Sequence, residues 1–295
     1  MTIILTGANG FLGKAICHHF SAETLVRLGR TKGEIIADLE QELPALPPSD
    51  LVIHAAGKAH SVPRTAAESA AFENINVGGT QRLLQALSRA AHLPKYFVLI
   101  SSIAVYGLEK GVLIDENHPL AATDPYGKSK IAAELLVEAW CTKNQVVCTI
   151  LRLPLLAGKN PPGNLRAMIK GIRKGYYFDI NVPHVQKSMV LTDDVAMFIE
   201  KVYQVGGVFH LTDGYHPGFN EISHLIAKQL GKKKPMAIPY GLIKAIAYIG
   251  DFLGSKFPIN SRKLDKMTNT LTFTDQKART ITNWQAKSVL DHFKI

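Results

Sequence analysis

Cysteine is scarce in this chain. Cys17, Cys141 and Cys148 are the only three in 295 residues, and none stands at CxxC or metal-ligand spacing. That excludes a disulfide-stapled scaffold and a zinc module, so no metal is expected; the reading is reduced thiols in a cytoplasmic protein. Long hydrophobic runs are also missing. The longest late stretch, Pro239 to Gly254, is interrupted by Lys244 and Asp251 and falls short of the ~20 residues a membrane span requires. It reads as an amphipathic helix serving the core or a dimer surface, and no membrane partner is expected. The opening MTIILTGANGFLG is apolar but breaks into glycines before an h-region forms, so no secretory leader is expected. There is no internal repeat and no low-complexity tract.

Acidic residues are the minority charge: 24 against 34 Lys and Arg, a formal net charge of +10. The basic residues are spread, with Lys232-Lys233-Lys234 the only run. No zinc finger, RRM signature or Arg-rich arm accompanies them, so no nucleic acid is expected. A solvated surface and a cleft for anionic small molecules are the readings that stand.

What is present is alternation. Apolar strands at Ile3–Thr6, Thr24–Leu28, Leu51–Ala55, Tyr96–Ser101 and Val146–Leu153 alternate with helical patterns at 11–20, 71–91 and 126–141. Such βαβ order predicts an α/β fold, a Rossmann-type doubly wound parallel sheet. YFVLIS is apolar throughout, as a strand covered on both faces must be. Beyond Leu153 the Pro/Gly-rich LPLLAGKNPPGN reads as a loop. Helices follow at 165–174, 193–204, 220–230 and 239–254, with a strand at 208–212 and a polar tail. The expected division is a dinucleotide domain, 1–158, to which strand 208–212 returns, and a smaller α/β substrate-binding part, 159–295.

Thr6-Gly7-Ala8-Asn9-Gly10-Phe11-Leu12-Gly13 joins the first strand to the first helix. Glycines there permit a tight turn, close backbone approach to a pyrophosphate and helix-on-strand packing. The free N–H groups of the helix start attract the anion. After the second strand comes Leu28-Gly29-Arg30-Thr31, with no acid for the ribose hydroxyl of NAD. Arg30 points towards NADP over NAD, or is a surface arginine. Asp38 suits an adenine amino group or a helix cap.

Tyr126 and Lys130 stand at i and i+4 of a helix, on one face. A tyrosine titrates near ~10, and a neighbouring cation favours the phenolate. Ser101-Ser102 ends the strand before, at the carboxyl edge that lines ligand crevices in open α/β sheets. Asn76 suits a buried bridge near the lysine.

With these pieces in order the chain resembles the extended short-chain dehydrogenase/reductase family, in particular its nucleotide-sugar epimerase/dehydratase members. The matching segments are TGANGFLG (6–13), HAAG (54–57), NVGGT (76–80), SSIAVYG (101–107), YGKSK (126–130), LRLP (151–154) and TDDVA (192–196). The resemblance implies Tyr126 as acid/base, Lys130 as the group that lowers its pKa and holds the nicotinamide ribose, and Ser102 on the reacting sugar hydroxyl. It implies a dinucleotide along Gly7, Asn9, Gly10, Phe11, Leu12, Gly13, Arg30, Asp38, Leu39, Ala55, Ala56, Gly57 and Asn76, with His54 nearby and backbone contacts dominant. Asn164, Lys187 and Arg262 would face the nucleotide or diphosphate of a nucleotide-diphosphate sugar, where cations make chemical sense. Helices 71–91 and 126–141 would pair across a two-fold axis into a homodimer through Leu83, Leu84, Leu87, Leu135, Leu136 and Ala139, unless those leucines face the sheet.

Departures from the family pattern narrow the reaction. Dehydratase members carry Asp-Glu after the serine or threonine, and here Ile103-Ala104 stand there. Leu155 stands where many epimerases have Asn. The expected reaction is oxidoreduction at a sugar carbon, C4 foremost, by an NAD(P)-dependent epimerase or 4-keto reductase. The alternatives are a reductase of an apolar ketone and a non-catalytic NADP-sensing relative.

Overall fold

The computed structural model describes residues 1–59, 63, 65–182, 184–253 and 259–295. The chain opens with strand β1 (Thr2–Thr6), helix α1 (Phe11–His19), β2 (Thr24–Gly29), β3 (Ile35–Ile36) and β4 (Leu51–His54). Helix α2 (Ala66–Phe72) runs through a π-helical turn, Glu73–Gly78, into α3 (Gly79–Ser88). Strand β5 (Tyr96–Ser102) ends in a 3₁₀ turn, Ile103–Tyr106, followed by β6 (Gly111–Ile114), α4 (Pro125–Asn144), β7 (Val147–Leu153) and β8 (Leu155–Ala157). The remainder comprises α5 (Gly163–Lys174), β9 (Asp179–Asn181), β10 (Met189–Leu191), α6 (Thr192–Val202), β11 (Gly207–Phe209) and α7 (Phe219–Gln229). Then come β12 (Ala237–Pro239), α8 (Tyr240–Leu253), α9 (Ser261–Thr268), β13 (Leu271–Phe273), α10 (Gln276–Thr282) and α11 (Val289–His292).

Seven strands form one parallel sheet in the order β11-β7-β5-β4-β1-β2-β3. The order reverses beside β1, so the carboxyl ends of β1 and β4 flank a switch-point crevice. Thr6 lies opposite His54 in that register, and Ser102 opposite Leu153. Both faces are covered, as the apolar strands require. On one side Leu12 and Ile16 of α1 pack with Val195, Phe198 and Ile199 of α6. On the other, Leu83, Leu84 and Leu87 of α3 meet Val137 and Cys141 of α4 over Val52 and Phe97.

Local chemistry sets the helix starts. Thr65 Oγ1 accepts from the Glu68 N–H at 3.1 Å and opens α2. Asp124 Oδ1 accepts from the Gly127 N–H at 3.1 Å, with Pro125 as the first residue of α4. The helix expected over 71–91 therefore starts at Ala66 and carries a π turn. The polar tail is ordered too: Leu264, Phe273, Ala278, Trp284, Val289 and Phe293 are all buried. The expected strand 208–212 is shorter, β11, and the residue closing the expected 239–254 helix, Gly254, lies outside the described residues.

The α3–α4 leucines are now placed. Leu83, Leu84 and Leu87 face the sheet and Leu136 packs against the same cluster, while Leu135 and Ala139 are exposed.

Candidate active site

The crevice begins with the glycine turn. Gly7 has φ +74°, and a Cβ on it would sit 2.7 Å from the Ala55 and Ala56 backbone. A Cβ on Gly13 would lie 2.1 Å from the Gly7 carbonyl oxygen, so α1 can approach β1 this closely only without a side chain. Gly10 precedes α1 with no side-chain cap, and the first turn holds no acidic residue. The result is a row of backbone donors at a helix start, with Asn9 and Gly10 exposed to solvent, which fits a dinucleotide pyrophosphate. Asn9 pins the loop beyond β2 by donating to the Lys32 carbonyl at 3.1 Å. Leu12 is buried in the core beneath the turn.

Across the crevice stands α4. The Tyr126 ring packs on buried Phe72 with centroids 5.8 Å apart. Burial raises the Tyr126 pKa, a hydrogen bond with Ser102 lowers it, and the Asp124 charge raises it. Lys130 sits one turn along but points elsewhere: Nζ donates to the Ile100 carbonyl at 2.9 Å. Burial brings the Lys130 ammonium down to about 8, against the upward pull of Glu134. Burial is thus the main influence on the phenol, and the Lys130 ammonium, one turn along the same helix, is held at the carboxyl end of β5. Ser102 Oγ also accepts from the Ala104 N–H at 3.2 Å, which starts the 3₁₀ turn.

Asn76 lies inside the π turn and is buried. Its Oδ1 accepts from the Lys58 N–H at 2.7 Å, and Nδ2 donates to the Lys58 carbonyl at 3.1 Å and to Ser129 Oγ at 2.8 Å. Gly57 makes this close fit possible, since a Cβ there would lie 3.0 Å from Asn76 Oδ1 and 3.4 Å from Lys130 Nζ. Asn76 is thus a clamp holding the segment after β4 against α4. His54 turns its ring inward. Its Nδ1 meets Thr6 Oγ1 at 2.7 Å and its Nε2 meets Thr80 Oγ1 at 2.9 Å, and burial first, then Lys130, lowers its pKa to about 3.

One network was not foreseen from the sequence. Arg152, buried on β7, donates from Nη2 to Glu134 Oε2 at 2.8 Å and from Nη1 to Tyr106 Oη and the Glu116 carbonyl at 3.0 Å each. Ser101 donates to Glu134, and Tyr106 Oη lies 2.6 Å from His210 Nε2. Glu134 follows Lys130 by four residues, the one signal that could have found it, because that spacing places both on one face.

The peripheral candidates divide. Arg30 is exposed and faces Glu40, Nη1 to Oε1 at 3.4 Å. Asp38 Oδ1 accepts from the Glu40 N–H at 3.0 Å, so it caps a turn, and buried Leu39 belongs to the core cluster with Leu83 and Leu84. Arg262 and Lys266 both reach Glu109 at 3.4 Å. Burial lowers Lys187 to about 8 while the Glu109 charge pulls it up, so the field of one carboxylate acts on all three cations. Asn164 is exposed in the first turn of α5.

The sequence profile of the NAD dependent epimerase/dehydratase family matches residues 3–208. Among curated proteins, the chain is 28% identical over 302 aligned positions to N-acetyl-alpha-D-glucosaminyl-diphospho-ditrans,octacis-undecaprenol 4-epimerase of Escherichia coli O157:H7, covering 93% of this chain and 88% of that one. Among solved structures, UDP-glucuronic acid 4-epimerase from Bacillus cereus, in complex with UDP-glucuronic acid and NAD, superposes with a TM-score of 0.76 at 19% identity over 99% of this chain and 96% of that chain. RMD from Pseudomonas aeruginosa, complexed with NADPH, superposes with a TM-score of 0.72 at 21% identity over 99% and 96%. At these identities the two structures speak for the fold.

Proposed function

The chain belongs to the NAD dependent epimerase/dehydratase family, and from that premise we propose that it is an NAD(P)-dependent enzyme of C4 oxidoreduction on a sugar diphosphate, working as a 4-epimerase. The observation that carries this is the meeting of Ser102, Tyr126 and Lys130 at the edge of β5, across from the glycine turn. The curated relative's 4-epimerase activity supports the direction; retention of one cofactor distinguishes it from a 4-keto reductase.

Gly7, Gly10 and Gly13 would hold the pyrophosphate, with Asn9, Phe11, Leu12, Arg30, Asp38, Leu39, Ala55, Ala56, Gly57 and Asn76 around the dinucleotide. When bound, the nicotinamide supplies hydride exchange. Tyr126 takes the proton of the C4 hydroxyl and returns it, and Ser102 orients that oxygen. Lys130 holds the ribose. Ile103 and Ala104 stand where dehydratase members carry Asp-Glu, so the carboxyl pair that serves elimination of water is missing beside Ser102. Lys187 and Arg262 would meet the diphosphate, with Asn164 on the carrier side, in a substrate part built mainly from residues 159–295. An apolar ketone gives these cations nothing to bind, and a sensing relative has no use for an intact tyrosine and lysine.

Tyr126→Phe should lower turnover by about 10²–10⁴-fold while dinucleotide binding persists. Activity near the parent level in that variant overturns the mechanism. Mass spectrometry of nucleotide released on denaturation reads the rest: retained NAD supports the epimerase, and an empty site that takes up NADPH supports a 4-keto reductase and the Arg30 reading.

We further propose a cytoplasmic homodimer through the outer faces of α3 and α4, where Leu135 is exposed. Sedimentation of Leu135→Glu should show monomers at concentrations where the parent is dimeric; an unchanged profile rejects this interface.

A second reading places the sugar diphosphate on a polyprenol rather than a nucleoside. The polyprenol-linked substrate in the name of the Escherichia coli relative favours it, and so does the exposed surface of α8.

A further inference from the structure

Helix α8 is built with its apolar side outward. Ile243, Ala247 and Gly250 form the buried stripe, packing with Leu264 of α9 and with Ile180 and Ile238. The opposite side carries Leu242, Ala245, Ile249 and Phe252 at i, i+3, i+7 and i+10, with Leu253 beside them. Phe252 is 94% exposed, Leu253 61%, and Leu242 and Ile249 56% each. Its single carboxylate, Asp251, is exposed but engaged within the protein, accepting from the Ser261 N–H at 3.1 Å at the start of α9. The flanking charges are cations. Lys244 lies over Tyr248 on the helix flank, and exposed Lys232, Lys233 and Lys234 precede β12, which leads directly into α8. None of these four lysines is paired with a carboxylate among the described residues. No helix among the described residues is long and apolar enough to cross a membrane.

A short helix with an apolar face, its one carboxylate bonded to the next helix, and unpaired lysines on its flank and just before it in the chain matches a segment that lies in the plane of an anionic bilayer. We propose that α8 docks this enzyme on an anionic phospholipid surface, Leu242, Ile249, Phe252 and Leu253 entering the headgroup boundary and the lysines meeting lipid phosphates. This departs from the sequence expectation of a core or dimer helix. It rests on the sugar-diphosphate reading only for its purpose: α8 packs on α9, which carries Arg262, so a docked α8 brings the cation group around Glu109 near the membrane, where a polyprenol-linked substrate resides.

The test is flotation of the full-length protein with vesicles of phosphatidylcholine alone and of phosphatidylcholine mixed with phosphatidylglycerol. The expected result is co-flotation with the mixed vesicles only, weakened in about 1 M salt, where the Debye length is about 3 Å. Ile249→Asp/Phe252→Asp should reduce the bound fraction by about tenfold, and Lys232→Glu/Lys233→Glu/Lys234→Glu should reduce it too. NADH and NADPH binding and the sedimentation profile, read on the same variants, report folding and self-association. Failure of the parent to float overturns the proposal, as does flotation indifferent to the Ile249/Phe252 substitutions. A parent dimer that these substitutions split, with no vesicle binding, assigns the face to a second copy instead. Turnover of nucleotide-diphosphate sugars and of polyprenyl-diphosphate sugars, measured alongside, separates the two claims: flotation without turnover of either class sinks the catalytic reading alone, and turnover without flotation sinks the docking alone.

Discussion

The hydrogen-bond row through His54 leaves that side chain one protonation state. Thr80 Oγ1 donates to the Asn76 carbonyl at 2.5 Å, so it accepts from His54 Nε2. Thr6 Oγ1 accepts from the Ala56 N–H at 3.1 Å and gives its own proton to His54 Nδ1. The ring is therefore neutral, in agreement with a pKa lowered by burial from 6.5 to about 3. His210 is lowered in the same way, to about 4. Below about 6.5 the unfolded chain binds protons that the folded chain refuses, so stability present above that pH is lost as pH falls towards these values. Each histidine contributes a slope of about 1.4 kcal/mol per pH unit across that window. Glu116, Asp194 and Asp213, raised chiefly by burial, act with the opposite sign in acid, so the absolute slope is a difference. Comparing variants isolates one group. His54→Asn should lose stability at neutral pH, yet show a pH 7 to pH 5 drop smaller than the parent's by about 2 kcal/mol. Denaturant midpoints at both pH values check this, and equal drops in the two proteins contradict it.

The π turn between α2 and α3 shows how an element serves the crevice. A π turn adds a residue to the helical ladder and re-aims the side chains it holds. Here it seats Asn76 where one amide reaches both backbone groups of Lys58 and the Ser129 hydroxyl. Asn76→Ala would bury an unpaired Lys58 N–H and free Ser129, at a cost of about 1–3 kcal/mol. The segment 55–58 would loosen with it, so dinucleotide affinity should fall along with the melting temperature; thermal melts with and without NADH check both, and a variant that melts and binds like the parent rejects the clamp. From the sequence, a plain helix over 71–91 was the natural reading, because NINVGGT carries no sign that distinguishes a π turn from an α turn. The parallel sheet was legible for the opposite reason: strands such as YFVLIS are covered on both faces and so are apolar throughout. Tyr126, Lys130 and the glycine turn were legible because their spacing is local. The direction in which Lys130 points was not, since its partner Ile100 belongs to a separate element, β5. Strands β6, β8, β9, β10, β12 and β13 were also missed; each has three or four residues and gains its order from a distant partner, as β6 does from β13.

Across the whole molecule, the buried charges fasten pieces that are far apart in the chain. Arg152 on β7 and Glu134 on α4 are 7% and 2% exposed and joined by a forked contact. From this pair the bonds run to Ser101 on β5, to Tyr106 in the 3₁₀ turn, and to the Glu116 carbonyl. Glu116 in turn accepts from the His210 N–H at 2.8 Å, just past β11. Glu116 follows β6, the strand paired with β13, so the network ties the sheet to the C-terminal segment around the site. Taking two charges out of water is costly, and such a pair is stabilising only while both partners and their further bonds are in place. Arg152→Met leaves Glu134 buried with Ser101 alone and should lower stability by about 3–5 kcal/mol. Glu134→Leu combined with Arg152→Met removes the stranded charge, so the double variant should be more stable than Arg152→Met, although Tyr106 and the Glu116 carbonyl still lack their donor. Glu134 also pulls the Lys130 pKa upward, so Glu134→Gln should lower it further below its ordinary value and move the alkaline limb of the turnover profile to lower pH. Denaturant midpoints of the parent, the single variants and the double close a mutant cycle. A double variant whose loss equals the sum of its parts would mean that the two residues act separately, and the network would then be a set of neighbours rather than one fastening.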